Sequence, residues 1–219
     1  MKARMTIANG LVVAGLTTLA MSSAGRVSAA PTDGWTQKSW TYTMHKPYNL
    51  ALSDRFKYSG GVWYTWVYES DKCFQDPCSA TDGRRTEMRW NNNYTSGNRM
   101  WDGDIYMVSG TNEATVIQVF GGTSSATASQ VRGFTASSGT YKRYGSETLI
   151  TGINNTWVNI KMAHDANGNT VKIYVNNSLK RTDPDRGNNT HYFKNGVYVG
   201  DISSSRSETR YKNLKQWSK

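Results

Sequence analysis

The stretch His191-Tyr192-Phe193-Lys194-Asn195-Gly196-Val197-Tyr198 decides how this chain is read. In an extended strand side chains alternate between faces, so Tyr192, Lys194 and Tyr198 share one side. Phe193 and Val197 fall on the other, apolar side. Two phenols and an ammonium make a poor hydrophobic core. They make a good floor for a site that holds an anion and moves a proton. The plainer reading is a sheet face that meets solvent, and the neighbouring strands decide between the two.

Two other stretches bear on that choice. Arg84-Arg85-Thr86-Glu87-Met88-Arg89-Trp90 alternates cleanly, with Arg85, Glu87 and Arg89 on one face and Thr86, Met88 and Trp90 on the other. Three successive charges on one face are costly to desolvate, so they are paired or line an open groove. Glu87 between two arginines can orient both and leave guanidinium donors for a ligand carboxylate. In Val116-Ile117-Gln118-Val119-Phe120, one amide projects from an apolar strand and needs a partner. A solvated polar ladder and a satisfied core amide explain these features one at a time. Together they offer Arg, Gln, Lys and Tyr on three strands, the set a uronate-binding cleft needs.

The rest of the chain is strand and turn. Residues 62–68 are aromatic and β-branched, bounded by Gly60-Gly61 and by Glu69-Ser70-Asp71. Residues 115–120 end in Gly121-Gly122, and residues 157–163 and 171–175 flank Asp165-Ala166-Asn167-Gly168-Asn169, a hairpin signal. Residues 190–199 and 210–217 complete the series. No window carries a sustained helical period. Many short strands between Gly, Asn and Ser turns predict an all-β sandwich or jelly roll in one domain. The Ser/Thr/Ala-rich residues 124–138 contain Val131 and Phe134, and read as an irregular strand and loop over a groove.

Residues 1–29 read as a secretory signal: Lys2 and Arg4, an apolar run from about Leu11 to Met21, and a small-residue cleavage site around Val27-Ser28-Ala29-Ala30. That leaves residues 30–219 as a mature, secreted, extracellular domain, long enough to bury a sizeable core. Removing Lys2, Arg4 and Arg26, with no acid, takes the formal charge from +10 to +7. A basic secreted domain favours an acidic partner such as a polyanionic polysaccharide, and the scattered basic residues and the signal argue against nucleic acid. After cleavage no membrane segment remains, and the expected state is a monomer. In an oxidising compartment Cys73 and Cys78 read as a disulfide closing a small loop. His45, His164 and His191 are dispersed and give no zinc pattern, so neither a metal nor a cofactor is expected. Asn-x-Ser/Thr sequons occur at Asn93, Asn154, Asn176 and Asn188.

The order Arg85-Thr86-Glu87-Met88-Arg89, Gln118-Val119-Phe120, Tyr192-Phe193-Lys194-Asn195-Gly196-Val197-Tyr198 resembles the three motifs of the alginate lyases of polysaccharide lyase family seven. Those run Arg-Ser/Thr-Glu-Leu-Arg, Gln-Ile/Val-His and Tyr-Phe-Lys-Ala-Gly-Val/Ile-Tyr-Asn-Gln. Within that superfamily the chain looks closest to the branch with the plant citrate-binding proteins, through Lys46-Pro47-Tyr48, Gln118 to Ala126 and His191 to Lys194. The resemblance implies a β-jelly roll of two antiparallel sheets with substrate across the concave one. It also implies roles. Arg85 and Gln118 hold the uronate carboxylate as catalytic groups, and Tyr198 is base and acid. Arg89, Glu87, Lys194 and Tyr192 bind substrate. The reaction is β-elimination, in which the C5 proton leaves, the enolate-like charge is stabilised, and the departing O4 is protonated.

The chain departs from this pattern at one place that matters. Phe120 stands where the family has histidine, and Val199-Gly200 follow Tyr198 in place of Asn-Gln. Tyr198 alone can serve only substrates whose C5 proton and O4 share a face, which mannuronate and glucuronate satisfy and guluronate does not. His45 could reach the cleft from another strand, although an isolated histidine is more often a surface or core residue. The competing expectation is a binding protein that kept the cleft, lost the chemistry and holds a small polycarboxylate. A third is a lectin-like jelly roll with Trp and Tyr as stacking faces.

Overall fold

The computed structural model describes residues 30–79, 83–187, 189–199 and 205–219, so the expected signal at 1–29 and the sequon at Asn188 lie outside it. The described residues form fifteen strands and one short 3-10 turn. Along the chain come β1 (Thr36–Lys38), β2 (Tyr42–His45), β3 (Phe56–Ser59), β4 (Val62–Tyr68) and β5 (Arg84–Trp90). Next are β6 (Asn98–Met107), β7 (Ala114–Phe120), β8 (Thr127–Phe134), β9 (Thr140–Arg143) and β10 (Glu147–Thr151). The last are β11 (Trp157–Asp165), β12 (Thr170–Val175), β13 (Ser178–Pro184), β14 (Tyr192–Val199) and β15 (Arg206–Ser218). They build two antiparallel sheets, one ordered β13-β12-β11-β6-β15-β4-β3 with β1 beside β15, the other β10-β9-β8-β7-β14-β5-β2. This is the expected all-β jelly roll.

The core lies between the sheets and takes one face of each strand. Phe193, Val197 and Val199 of β14 and Met88 and Trp90 of β5 are fully buried there, which turns Tyr192, Lys194, Tyr198, Arg85 and Glu87 to the opposite face. Asn195 is a polar residue on the core side, where the family pattern has alanine. Its Oδ1 accepts from the indole N–H of Trp90 at 2.6 Å and of Trp101 at 3.3 Å, so both indoles are satisfied without water. Asn195→Ala should therefore cost about 1–3 kcal/mol for each indole N–H left unpaired, read as a lower urea midpoint at unchanged slope.

From Thr127 onward the Ser/Thr/Ala-rich segment is the expected irregular strand: β8 pairs on both sides with β7 and β9, and its register against β7 shifts twice. Its inner face is built of small residues because neighbours come close: a Cβ on Gly133 would sit 2.3 Å from Met107 Sδ. β6 is central in its sheet, between β11 and β15, yet Asp102-Gly103-Asp104 masks it. Asp102 is tolerated there because Lys161 Nζ lies at 3.0 Å and the Trp217 indole donates to it at 3.2 Å.

β14 carries the site. It pairs with β5 without interruption from Lys194↔Arg89 to Val199↔Arg84, while its register against β7 slips between Asn195 and Tyr198. The Tyr211 hydroxyl sits below this bulge and shares its single proton between Val116 O at 2.7 Å and Gly196 O at 2.6 Å. Gly196 has no side-chain option here, since a Cβ would lie 2.2 Å from the Thr86 carbonyl oxygen.

Candidate functional site

A groove of about 640 Å³ opens on the outer face of the seven-stranded sheet, a size that suits a small ligand or a short piece of polymer. Arg85, Gln118, Tyr192, Lys194, Tyr198 and His45 all line it. The register explains how. Tyr198 lies opposite Arg85, Lys194 lies between Arg89 and Gln118, Tyr192 lies opposite Phe120, and Gly196 lies opposite Glu87, itself opposite His45.

Glu87 is the hub beneath the floor, 1% exposed. Because Gly196 offers no side chain, the Glu87 carboxylate can cross β14 and accept from Gln118 Nε2 at 2.8 Å, two strands away. It also faces Arg85 Nη1 at 3.6 Å and Lys194 Nζ at 3.8 Å. The Gln118 Oε1 accepts from Thr127 Oγ1 at 3.0 Å, which fixes the amide and leaves its second N–H for a ligand. Lys194 is 3% exposed, with its ammonium 4.4 Å from the Phe120 ring centre. A solvated sheet face is therefore not what this strand presents.

Arg85 stacks over the Tyr198 ring at 4.1 Å, so the guanidinium and the phenol form one unit. Glu87 was expected to orient both arginines. The structure corrects this for Arg89, whose guanidinium lies 3.9 Å over Tyr192 and donates to Trp90 O at 2.8 Å. The reason is register: Arg89 is four residues from the Arg85–Tyr198 pair, about 13 Å along the strand. Tyr192 in turn stacks on Phe120 at 5.1 Å, and burial pushes its phenol pKa up. It is a wall of the groove.

His45 is not the surface or core histidine that base rates favoured; it stacks on Phe74 at 4.2 Å and lines the groove. Burial, then the charges of Lys194, Arg85 and Arg89, lower its pKa from 6.5 to about 4, and its Nδ1 is buried without a hydrogen-bond partner among the described residues. Protons bind the unfolded chain first, so this group lowers stability as pH falls from 6.5 towards 4. An anion in the groove raises that pKa. Calorimetry at about pH 5, in buffers of different ionisation heat, should show proton uptake on ligand binding that His45→Gln removes and that vanishes near pH 8.

The Cys73–Cys78 disulfide is present, and the loop it closes brings Phe74 and Gln75 to the groove wall. Residue order placed neither of these two there, since nothing in local spacing reports which loop folds over which sheet, whereas Ser125 and Thr127 belong to the segment expected over a groove and do line it. Two of the histidines that are dispersed in sequence meet in space: His164 and His191 have ring centres 4.6 Å apart beside Asp185.

A jelly roll with Arg, Gln, Lys and Tyr converging on one groove has the fold of the alginate lyases. The structure superposes on the family 7 alginate lyase AlgAT5 with a TM-score of 0.62 and 18% identity, over 88% of this chain and 100% of that one. It superposes on an alginate lyase from Pseudomonas aeruginosa with a TM-score of 0.64 and 14% identity, over 83% and 98%. No protein-family model matches. The citrate-binding protein of Hevea brasiliensis is 37% identical over 193 residues, 86% of this chain and 79% of that protein. The chain belongs to the citrate-binding protein family, and it shares its fold with the alginate lyases.

Proposed function

We propose that the groove binds the carboxylates of an anionic polyuronate and that Tyr198 cleaves the chain by β-elimination. The observation that carries this reading is the convergence of Arg85, Gln118, Lys194 and Tyr198 in one groove. The uronate carboxylate lies against Arg85 and the remaining Gln118 N–H, which take up the negative charge that develops when C5 loses its proton. Tyr198, under the Arg85 guanidinium, removes that proton as phenolate and returns it to O4. One group working on one face selects mannuronate- or glucuronate-type chains. The neutral His45 binds substrate, because a pKa of about 4 makes it a weak base. The protein acts outside the cell, in keeping with its disulfide.

A second reading is favoured by Phe120, whose ring fills the position of the family histidine under Lys194 and beside Tyr192. In that reading the groove holds a small polycarboxylate, as the name of the Hevea protein says of that relative, and performs no turnover. Alginate, polymannuronate and glucuronan, followed by the ultraviolet absorbance of the unsaturated uronate product, separate the two. Product on any of them supports the lyase. Absence of product on all three, together with calorimetric binding of citrate, overturns it in favour of the binder.

A further inference from the structure

We propose that His164, Asp185 and His191 form a buried three-ligand site for a divalent transition metal of the zinc type, joining the two sheets at one end of the sandwich. The three come from separate parts of the fold: His164 from β11, Asp185 from just beyond β13, His191 from just before β14. One donor atom from each lies within 4.8 Å of the other two. Both histidines are 0% exposed, and the Asp185 side chain is 1% exposed.

His191 carries the argument. Its Nδ1 faces the Phe120 carbonyl at 3.3 Å and so bears the proton, which leaves Nε2 with a bare lone pair. That Nε2 is buried and has no hydrogen-bond partner among the described residues. A buried acceptor without a donor is rare and costly, and an imidazole lone pair beside a second imidazole and a carboxylate is what a metal ion satisfies.

The surroundings fit as well. His164 Nε2 meets Asp185 Oδ2 at 2.9 Å, and its Nδ1 meets the Tyr94 hydroxyl at 2.8 Å. On ligation the imidazole keeps its single proton, which moves from Nε2 to Nδ1 and points at the Tyr94 oxygen. Asp185 Oδ1 accepts the Gly187 N–H at 3.0 Å, so all three ligands have an orienting partner behind them. Two imidazoles and one carboxylate suit Zn²⁺ or Co²⁺ and disfavour Ca²⁺ and Mg²⁺, which take oxygen ligands.

The test uses untagged, chelator-treated protein titrated with Zn²⁺ by calorimetry and with Co²⁺ by visible absorption. One ion per chain is expected, with a thermal midpoint raised by about 5–10 °C at a hundredfold excess over the dissociation constant. His191→Gln and His164→Gln should each weaken binding at least tenfold, and Tyr94→Phe, a positioning change, by about 10–100-fold. His45→Gln, in the groove, should bind as the parent does. No stoichiometric Zn²⁺ binding and no cobalt band in the unaltered protein overturns the site without recourse to any variant. So does binding that survives both histidine changes, or a water donating to His191 Nε2 in crystals grown with Zn²⁺.

Discussion

Replacing Tyr198 by phenylalanine is expected to lower the rate of uronate product formation by about 10²–10⁴-fold, the range that one proton-transferring group supplies. Binding should change little. The ring stays under the Arg85 guanidinium, 4.1 Å away in the native protein, so the groove keeps its shape and its cations. Only the oxygen that removes the C5 proton is lost. Substrate binding by calorimetry and product absorbance, measured on the same preparation, separate the two quantities. Retained turnover would sink the assignment and move the base to His45, which His45→Gln then tests directly. Polyguluronate cleaved as fast as polymannuronate would contradict the single-face mechanism even with Tyr198 intact.

The largest expected stability effect lies one layer deeper, at Glu87. Its carboxylate accepts from Gln118 and faces Arg85 and Lys194, all four side chains being buried or nearly so. Taking away the anion of a buried charge cluster leaves cations in a low-dielectric setting and typically costs about 3–5 kcal/mol. For a domain of this size Glu87→Ala should lower the thermal midpoint by about 6–20 °C. Glu87→Gln keeps an oxygen for the Gln118 amide and should cost less. The ordering Ala below Gln below parent is the expected result of differential scanning calorimetry. An unchanged midpoint in Glu87→Ala would show that the groove cations are balanced elsewhere.

Much of this was legible from residue order. The two-residue period of β14 separated Phe193 and Val197 from Lys194 and Tyr198, because a half-buried strand must sort its side chains by face. The same period placed Arg85 and Glu87 in the groove. It could not report register across strands, and register is what gave Arg85 rather than Arg89 to Tyr198. It also could not show that Gly196 clears a path from Glu87 to Gln118. β6 stayed hidden because its central Asp102 is matched by Lys161, 59 positions away in sequence, and no local pattern shows such a partner. His164 and His191 looked dispersed for the same reason. His164 lies on β11 of one sheet and His191 just before β14 of the other, and only the closing of the sandwich brings their rings together.

One wall of the groove is not part of either sheet. Phe74 and Gln75 stand on the covalent ring closed by Cys73 and Cys78, whereas Arg85, Gln118, Lys194 and Tyr198 are fixed by strand pairing. Floor and wall are therefore separable parts. The ring can exchange its two inward residues with no shift of register, so ligand preference can drift while the floor chemistry stays put. That makes the six-residue loop the natural place to graft new selectivity onto this scaffold.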